Sequence, residues 1–416
     1  MEIKFLGGAN EVGRSGFLLK GSRSILLDYG LKIEAVSERP LPSGKVDLCV
    51  LSHAHLDHSG YVPAIYENSF PPTVGTPPTL KLAELLIEDS LKLNRQKHEK
   101  PLFFKHQFRS FMDRYIPRSY GSGVELDDYG VTLHDAGHIS GSAITLIENR
   151  MGRRIAYTGD FKLGEQLLQR PAEIVKADAL IIESTYAGSE HPDRQSLIKR
   201  FSAEVMETVQ SGGIALMPVF AVGRAQELLA ILYKCGLADR VHLDGMAKAA
   251  TEIMLMHSDF LANGHLLGKA VKAATVVETP SQRRAALNAG SIIVTTSGML
   301  NGGPVLDYVT KLNRNSRIFL NGYQVEGTNG NKLLANKPLL IDKKKILIKT
   351  PVSFYDFSAH AGKSDLHRYI KSSGASTVFC VHGSPENAAA LMEFLNEEGI
   401  QGYAPNVGDV ISLDFD

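Results

Sequence analysis

The chain has 416 residues, 44% of them hydrophobic and 22% charged, which is enough apolar material for a large buried core in about two or three domains. No apolar run approaches the roughly 18 residues that cross a bilayer, and the opening MEIKFLGG has neither the basic nor the apolar region of a secretory signal, so no membrane partner and a cytoplasmic location are expected. Basic and acidic residues number 45 each, which removes any long-range field for a polyanion but not a local groove that binds phosphates.

Short β-rich segments punctuated by Gly and Asp fill the first part of the chain: EIKFLGG, GFLLK, SILLDYG, DLCVLSH, VTLHDAGH, AITLIE, RRIAYTGD and ALIIESTY. Helical stretches lie between them, notably Leu80 to Lys97, where Leu80, Ala83, Glu84, Ile87 and Leu91 recur at helical spacing. Strand runs interrupted by helices predict an α/β layer structure. The polar segment Ala187 to Arg194 breaks the pattern, and Pro192 suits the first turn of a new helix.

From there the rhythm becomes strand, Gly-rich turn, helix, in GGIALMPVFAVGRAQELLAIL, SIIVTTSGMLNGGPVLDYVTKL and RIFLNGYQVEGTNGNKLL. That repeat describes a small doubly wound α/β domain. After the lysine run Lys343 to Lys345 the opening style returns in ILIKTPVSFYDFSAH, STVFCVHGS and DVISLDF. The organisation expected is one domain, residues 1–186 and 345–416, interrupted by an inserted second at 187–344. Cys49, Cys235 and Cys380 are far apart, form no CxxC pair, and read as small buried apolar residues in a reducing compartment.

The chemistry gathers at Ser52-His53-Ala54-His55-Leu56-Asp57-His58, after an apolar strand and before a helix expected near Ser59. His53 and His55, two apart, point the same way from an extended chain, and Asp57 and His58 face across from them. Further donors must come from other strand ends, where His138 in DAGHISGSA and Asp160 in YTGDF stand in Gly-rich loops. His53, His55 and His138 would form a three-histidine site with an open position, Asp57 and His58 would hold a second ion, and Asp160 would bridge the pair. Asp28, at the end of SILLD, is placed to orient an imidazole from behind. A solitary His138 or Asp160 is more often a loop hydrogen-bonder than a ligand, and the preceding cluster reverses that judgement. His98, His106, His134, His191, His242, His257, His265 and His367 lack a ligand-like context and are read as surface or packing residues.

These residues resemble the metallo-β-lactamase superfamily, whose HxHxDH, later His and later Asp match His53 to His58, His138 and Asp160. Over nearly the whole chain the sequence is similar to the β-CASP nuclease branch, the group of the cleavage-and-polyadenylation endonuclease, RNase J and their archaeal relatives. Glu183 in IIESTY, His360 in FSAHAG and His382 in VHGS match that branch's three motifs, and MPVFAVGRAQEL, TTSGMLNGG and NGYQVEGT match within the insertion. The resemblance implies an αββα sandwich with an inserted smaller α/β domain, two Zn2+ per chain, and cleavage of single-stranded RNA at internal bonds or from the 5′ end. It also implies a homodimer and partners in an RNA-processing complex. By the same carry-over His382 completes the second metal's ligands and marks RNA rather than DNA, Asp57 belongs to the catalytic set, and His360 is the proton donor with Glu183 positioning it. Residue context alone leaves His360 and Glu183 open between site and packing.

Turns at Gly223-Arg224, Gly302-Gly303 and Gly327 to Gly330 offer backbone amides to phosphates, with Ser297 a further phosphate contact and Arg224 able to add a bidentate one. Tyr323 could stack a base, whereas Phe220 suits core packing better. Where relatives carry Gly-x-Leu-Gly-Arg, this chain has Gly327-Thr328-Asn329-Gly330-Asn331-Lys332, so Lys332 stands in as a point charge. The expected reaction is in-line attack by a water activated between two cations, with His360 protonating the departing 3′ oxygen. Three other readings compete: a small-molecule thioesterase or lactonase, which needs neither the insertion nor His360; a DNA-processing enzyme, which His382 opposes; and an inactive scaffold subunit, which would show eroded ligand positions.

Overall fold

The structure, a computed structural model, describes residues 1–32, 37–67, 69–96 and 100–415, so Lys97, His98 and Asp416 lie outside the described residues. The chain forms two units, one of Met1–Glu165, Arg170–Glu190 and His360–Asp416, the other of Gln166–Gln169 and His191–Ala359.

The first unit holds two seven-stranded sheets. One runs Val410–Ser412, Glu2–Gly7, Gly16–Lys20, Ser24–Leu27, Leu48–Val50, Thr73–Gly75 and Tyr115–Pro117, antiparallel over its first four strands and parallel over the rest. The other runs Gln401–Tyr403, Thr377–Val381, Ala179–Glu183, Arg154–Tyr157, Ala143–Asn149, Tyr129–Asp135 and Gly123–Leu126, parallel through Arg154–Tyr157 and antiparallel beyond. Burial follows position in the sheet. Tyr129–Asp135 alternates buried and half-buried residues, as a strand with one covered face should, whereas Ala179–Glu183 is buried throughout between parallel neighbours.

The two sheets share an aromatic and aliphatic core, in which Phe5 contacts Phe17 and Phe379 at centroid separations of 5.9 and 5.7 Å, and Phe17 meets Tyr157 at 5.4 Å. Helices Lys363–Ser373 and Pro385–Glu397 cover the outer face of the second sheet through Leu366, Tyr369, Ile370, Leu391 and Leu395. Helix Pro77–Gln96, which contains most of the helical stretch read from Leu80, buries Leu82, Ala83 and Ile87. The layers are therefore helix, sheet, sheet, helix, the αββα sandwich expected. No helix among the described residues is long and apolar enough to cross a membrane.

The second unit is a smaller α/β domain on a six-stranded parallel sheet, in the order Thr275–Val276, Val241–Asp244, Ile292–Thr295, Ala215–Pro218, Arg317–Leu320 and Val352–Phe354. The three strand-turn-helix repeats supply its three central strands, while Val241–Asp244 and Thr275–Val276 lie outside those repeats. The second unit's main stretch is His191–Ala359, beside the 187–344 expected for the insertion. Val352–Phe354 pairs in parallel with Arg317–Leu320, so the strand-like TPVSF belongs to the second unit's sheet, and apolar strand character cannot say which sheet a strand joins. Pro192 precedes rather than opens its helix, since Asp193 is the cap and accepts from Ser196 N at 2.8 Å. Cys49 and Cys380 are buried in strands as expected, but Cys235 is only half-buried at a helix end.

Phe17→Ala removes a fully buried ring at the centre of the sandwich and is expected to destabilise the protein by about 3–5 kcal/mol. Chemical denaturation measures it, and an unchanged midpoint would contradict the packing described.

Candidate active site

Strand ends place the site. Asp28 follows Ser24–Leu27, Ser52 to His58 follow Leu48–Val50, and His138 follows Tyr129–Asp135. Asp160 follows Arg154–Tyr157, Glu183 ends Ala179–Glu183, and His382 follows Thr377–Val381. Each side chain thus hangs from the carboxyl end of a hydrogen-bonded strand, where the backbone is rigid and the loop is free to turn inward. The helix after the HAHLDH segment is Leu56–Ser59, starting three residues earlier than expected, so Asp57 and His58 lie in its single turn. Gly30 lets the chain brace that turn, since a Cβ there would lie 1.8 Å from Asp57 O. Ser15, Tyr29 and Leu31 donate their amides to Asp57, His58 and Leu56 carbonyls at 2.8 to 2.9 Å.

The donor atoms converge in two groups that share one carboxylate. His55 Nδ1 lies 3.2 Å from both His53 Nε2 and His138 Nε2, and Asp160 Oδ2 is 3.5 and 3.7 Å from the same two nitrogens. On the other side Asp160 Oδ1 is 3.4 Å from His58 Nε2 and 3.7 Å from His382 Nε2, while Asp57 Oδ2 is 4.0 and 3.7 Å from those nitrogens. His53, His58, His138, Asp160 and His382 are all buried. His58 Nε2 and Asp160 Oδ1 are shielded from solvent with no hydrogen-bond partner, a cost that folding normally avoids. Lone-pair nitrogens and carboxylate oxygens that crowd two points without satisfying one another fit a divalent-cation site, and the cluster is a metal-binding one.

Electrostatics favour that use at the first group of donors. Burial, followed by the neighbouring His58, holds His53 well below the ordinary histidine range, and burial lowers His55 as well, so both present neutral lone pairs. For His58, burial is outweighed by Asp160 and Asp57, and its pKa stands well above the ordinary value. Asp160 is held well below the carboxylate range because His382, His58 and His360 overcome its own burial.

Behind the donors stands a layer of orienting groups. Asp28 accepts from Ser52 N at 2.7 Å, Ser52 Oγ at 2.6 Å, His58 Nδ1 at 2.7 Å and Tyr157 OH at 2.6 Å. Ser52 Oγ also meets His53 Nδ1 at 3.0 Å, and Ser15 Oγ meets His382 Nδ1 at 2.9 Å. The sequence reading placed Asp28 behind an imidazole but gave no role to Ser15, Ser52 or Tyr157, because a hydroxyl that meets Asp28 or His382 only once the chain has folded leaves no local pattern. Asp28 and His382 take left-handed backbone, with φ of 56° and 48°, at a cost on the order of 1–3 kcal/mol each. Hydrogen bonds from Asp28 N to Val50 O at 2.9 Å and from His382 N to Gly8 O at 2.6 Å hold them there.

His360 stands against the cluster, its Nδ1 2.8 Å from Glu183 Oε2 and 3.9 Å from Asp160 Oδ2. Burial works against its imidazolium, but Glu183 and then Asp160 overcome it and push the pKa up to about 9. Glu183 is itself fixed through Oε1 by Phe161 N at 2.8 Å.

The residues expected to meet phosphate all lie in the second unit, at the carboxyl ends of three neighbouring strands. Arg224 opens helix Arg224–Lys234 half-buried, and against its burial Asp356 is held below the carboxylate range first by His191 and then by the charge of Arg224. Ser297 Oγ donates to Gly302 O and accepts from Asn301 N, both at 3.2 Å, so this hydroxyl shapes its own loop. Gly330 N to Met299 O at 2.9 Å and Asn329 N to Asn301 Oδ1 at 3.0 Å tie that loop, which contains Gly302 and Gly303, to the helix bearing Lys332. Tyr323 is 58% exposed and presents a ring for stacking, Lys332 is half-buried, and Phe220 is half-buried rather than fully in the core.

Residues 225–333 match the Beta-Casp domain model, and residues 345–405 match the model described as the Zn-dependent metallo-hydrolase RNA specificity domain. The chain is 36% identical to "Probable RNase MJ4" of Methanocaldococcus jannaschii over 99% of this chain and 100% of that protein. It is 38% identical to "RNase aCSPSF2" of Saccharolobus solfataricus over 99% and 85% of the two chains. Against the "Transcription termination factor FttA" of Pyrococcus abyssi it is 32% identical over 99% of this chain and 71% of that one. A crystal structure of a protein of unknown function from Enterococcus faecalis V583 shares the fold, with a TM-score of 0.61, 16% identity and 99% of each chain covered. With its two-sheet sandwich, its inserted parallel-sheet domain and relatives 36% and 38% identical over 100% and 85% of their lengths, the chain belongs to the β-CASP ribonuclease family of metallo-β-lactamase-type hydrolases.

Proposed function

We propose that the chain hydrolyses single-stranded RNA to 5′-phosphate and 3′-hydroxyl ends with two zinc ions per chain, in RNA 3′-end processing or decay. One observation carries this reading: the buried Asp160 carboxylate is split between two groups of imidazoles, with one oxygen facing each. His53, His55, His138 and Asp160 Oδ2 would hold one ion, and Asp57, His58, His382 and Asp160 Oδ1 the other. A donor set of imidazole and carboxylate without thiolate suits zinc. Bound there, the cation pair supplies charge to neutralise a phosphodiester and to lower the pKa of a water.

The side chains supply positioning and the proton. Glu183 commits His360 through Nδ1, so the proton this residue delivers is the one on Nε2, and the departing 3′ oxygen is its acceptor. Asp28, Ser52 and Ser15 hold the ligand rings at fixed angles, so His58, His53 and His382 need no reorganisation as charge builds on the phosphate. In the second unit Arg224, Gly302, Gly303, Tyr323 and Lys332 supply backbone, charge and a ring face to the strand, with Ser297 holding its loop in shape. The RNase names of the relatives and the RNA specificity domain support RNA as the substrate, as does histidine at position 382.

End-labelled single-stranded RNA should be cut while matching DNA resists, with cleavage abolished by chelator and by His382→Ala. Equal cutting of DNA would refute the substrate, and undiminished cleavage by His382→Ala would refute that ligand. Mapped products should carry 5′-phosphate and 3′-hydroxyl; a 2′,3′-cyclic phosphate would show that a ribose oxygen, not water, attacks. Metal analysis of the purified protein should find two zinc ions per chain, and His138→Ala should lose cleavage together with bound metal. Asp28→Asn keeps the shape but weakens the brace on His58, and should lower zinc affinity or activity by about 10–100-fold in a chelator-competition titration.

A further inference from the structure

One buried cation at this site has no part in the chemistry so far. Lys162 is 6% exposed and stands two residues beyond Asp160, and its Nζ donates to the main-chain carbonyl of His360 at 2.8 Å. Its own backbone is clamped on both sides: Lys162 N donates to Ala136 O at 2.9 Å, and Lys162 O accepts from Ala172 N at 2.8 Å. Between Asp160 and Lys162 lies Phe161, whose amide holds Glu183 Oε1, while Glu183 Oε2 holds His360 Nδ1. Three consecutive residues therefore address three different groups: the shared carboxylate itself, the partner of the proton donor, and the backbone of the proton donor. An ammonium withdrawn from water is costly unless its interactions compensate, and an apolar side chain would fill that space without the cost.

We propose that Lys162 is a positioning residue that locks the main chain at His360, keeping the imidazole aligned on Glu183 so that its proton reaches the departing oxygen. This rests on the ribonuclease reading above, in which the P–O3′ bond breaks and that oxygen takes the proton from His360. The side-chain bond from Lys162 acts on a carbonyl, so it restrains where His360 stands without touching substrate or metal.

The test compares Lys162→Met, Lys162→Arg and His360→Ala, as full-length zinc-loaded proteins, on two RNAs: one ordinary, one with sulfur replacing the bridging 3′ oxygen at the scissile bond. A thiolate leaves without needing a proton, so a defect in proton delivery shrinks on the sulfur substrate. Lys162→Met should lower kcat on ordinary RNA by about 100-fold with little change in KM or zinc content, and most of that loss should vanish on the sulfur RNA, as for His360→Ala. Lys162→Arg, which keeps a charged donor, should recover much of the rate. Should Lys162→Met not fold, Lys162→Gln is compared in the same way. Equal losses on both RNAs, or no loss on either, overturn the role of Lys162 if His360→Ala alone responds to sulfur. If His360→Ala shows no such response, the proton-donor assignment fails and takes this inference with it; if the unaltered protein cuts neither RNA, the ribonuclease reading fails first.

Discussion

A carboxylate buried among imidazoles is the constraint on which the first unit is built. Asp160 is 2% exposed, and taking that charge out of water is tolerable only because nitrogens face it from both sides. Yet the histidines do not satisfy it fully, since Asp160 Oδ1 and His58 Nε2 are both left without hydrogen bonds. A divalent cation would satisfy both atoms. Binding free energy at a site of this kind is also folding free energy, so occupancy should stabilise the sandwich as well as arm it.

The bracing of the rings is uneven, and that matters chemically. His58 leans on a carboxylate, Asp28, which is held in turn by Ser52 and Tyr157, whereas His53 and His382 lean on the hydroxyls of Ser52 and Ser15. A carboxylate behind an imidazole raises its basicity more than a hydroxyl does. The network is also shared: Ser52 connects Asp28 to His53, so the brace behind one group of donors is mechanically continuous with the brace behind the other.

Much of this was legible in the order of residues because the period of a strand and the punctuation after it are local signals. The HAHLDH segment follows an apolar run into a helix, His138 after DAG and Asp160 after YTG follow apolar runs into Gly-rich turns, and the structure gathers all of them. His360 follows no such run, and only its likeness to a family motif singled it out. What stayed hidden depends on distance through space. Ser15 and Tyr157 look like any loop serine or strand tyrosine until the fold brings His382 and Asp28 against them. The strand Val352–Phe354 was visible as a strand, but the identity of its sheet was not, because hydrogen-bond partners are chosen by topology rather than by composition.

The donors are also widely separated along the chain, from His53 near its start to His382 near its end. During synthesis at about 5–20 residues per second, the first sheet's strands from Glu2–Gly7 to Tyr115–Pro117 can pair while Thr377–Val381 and the edge strand Val410–Ser412 are still unmade. An enzyme of this kind is born beside its own messenger, the very class of polymer it degrades. Until His382 is made, the growing chain lacks one of the donors proposed for the second ion.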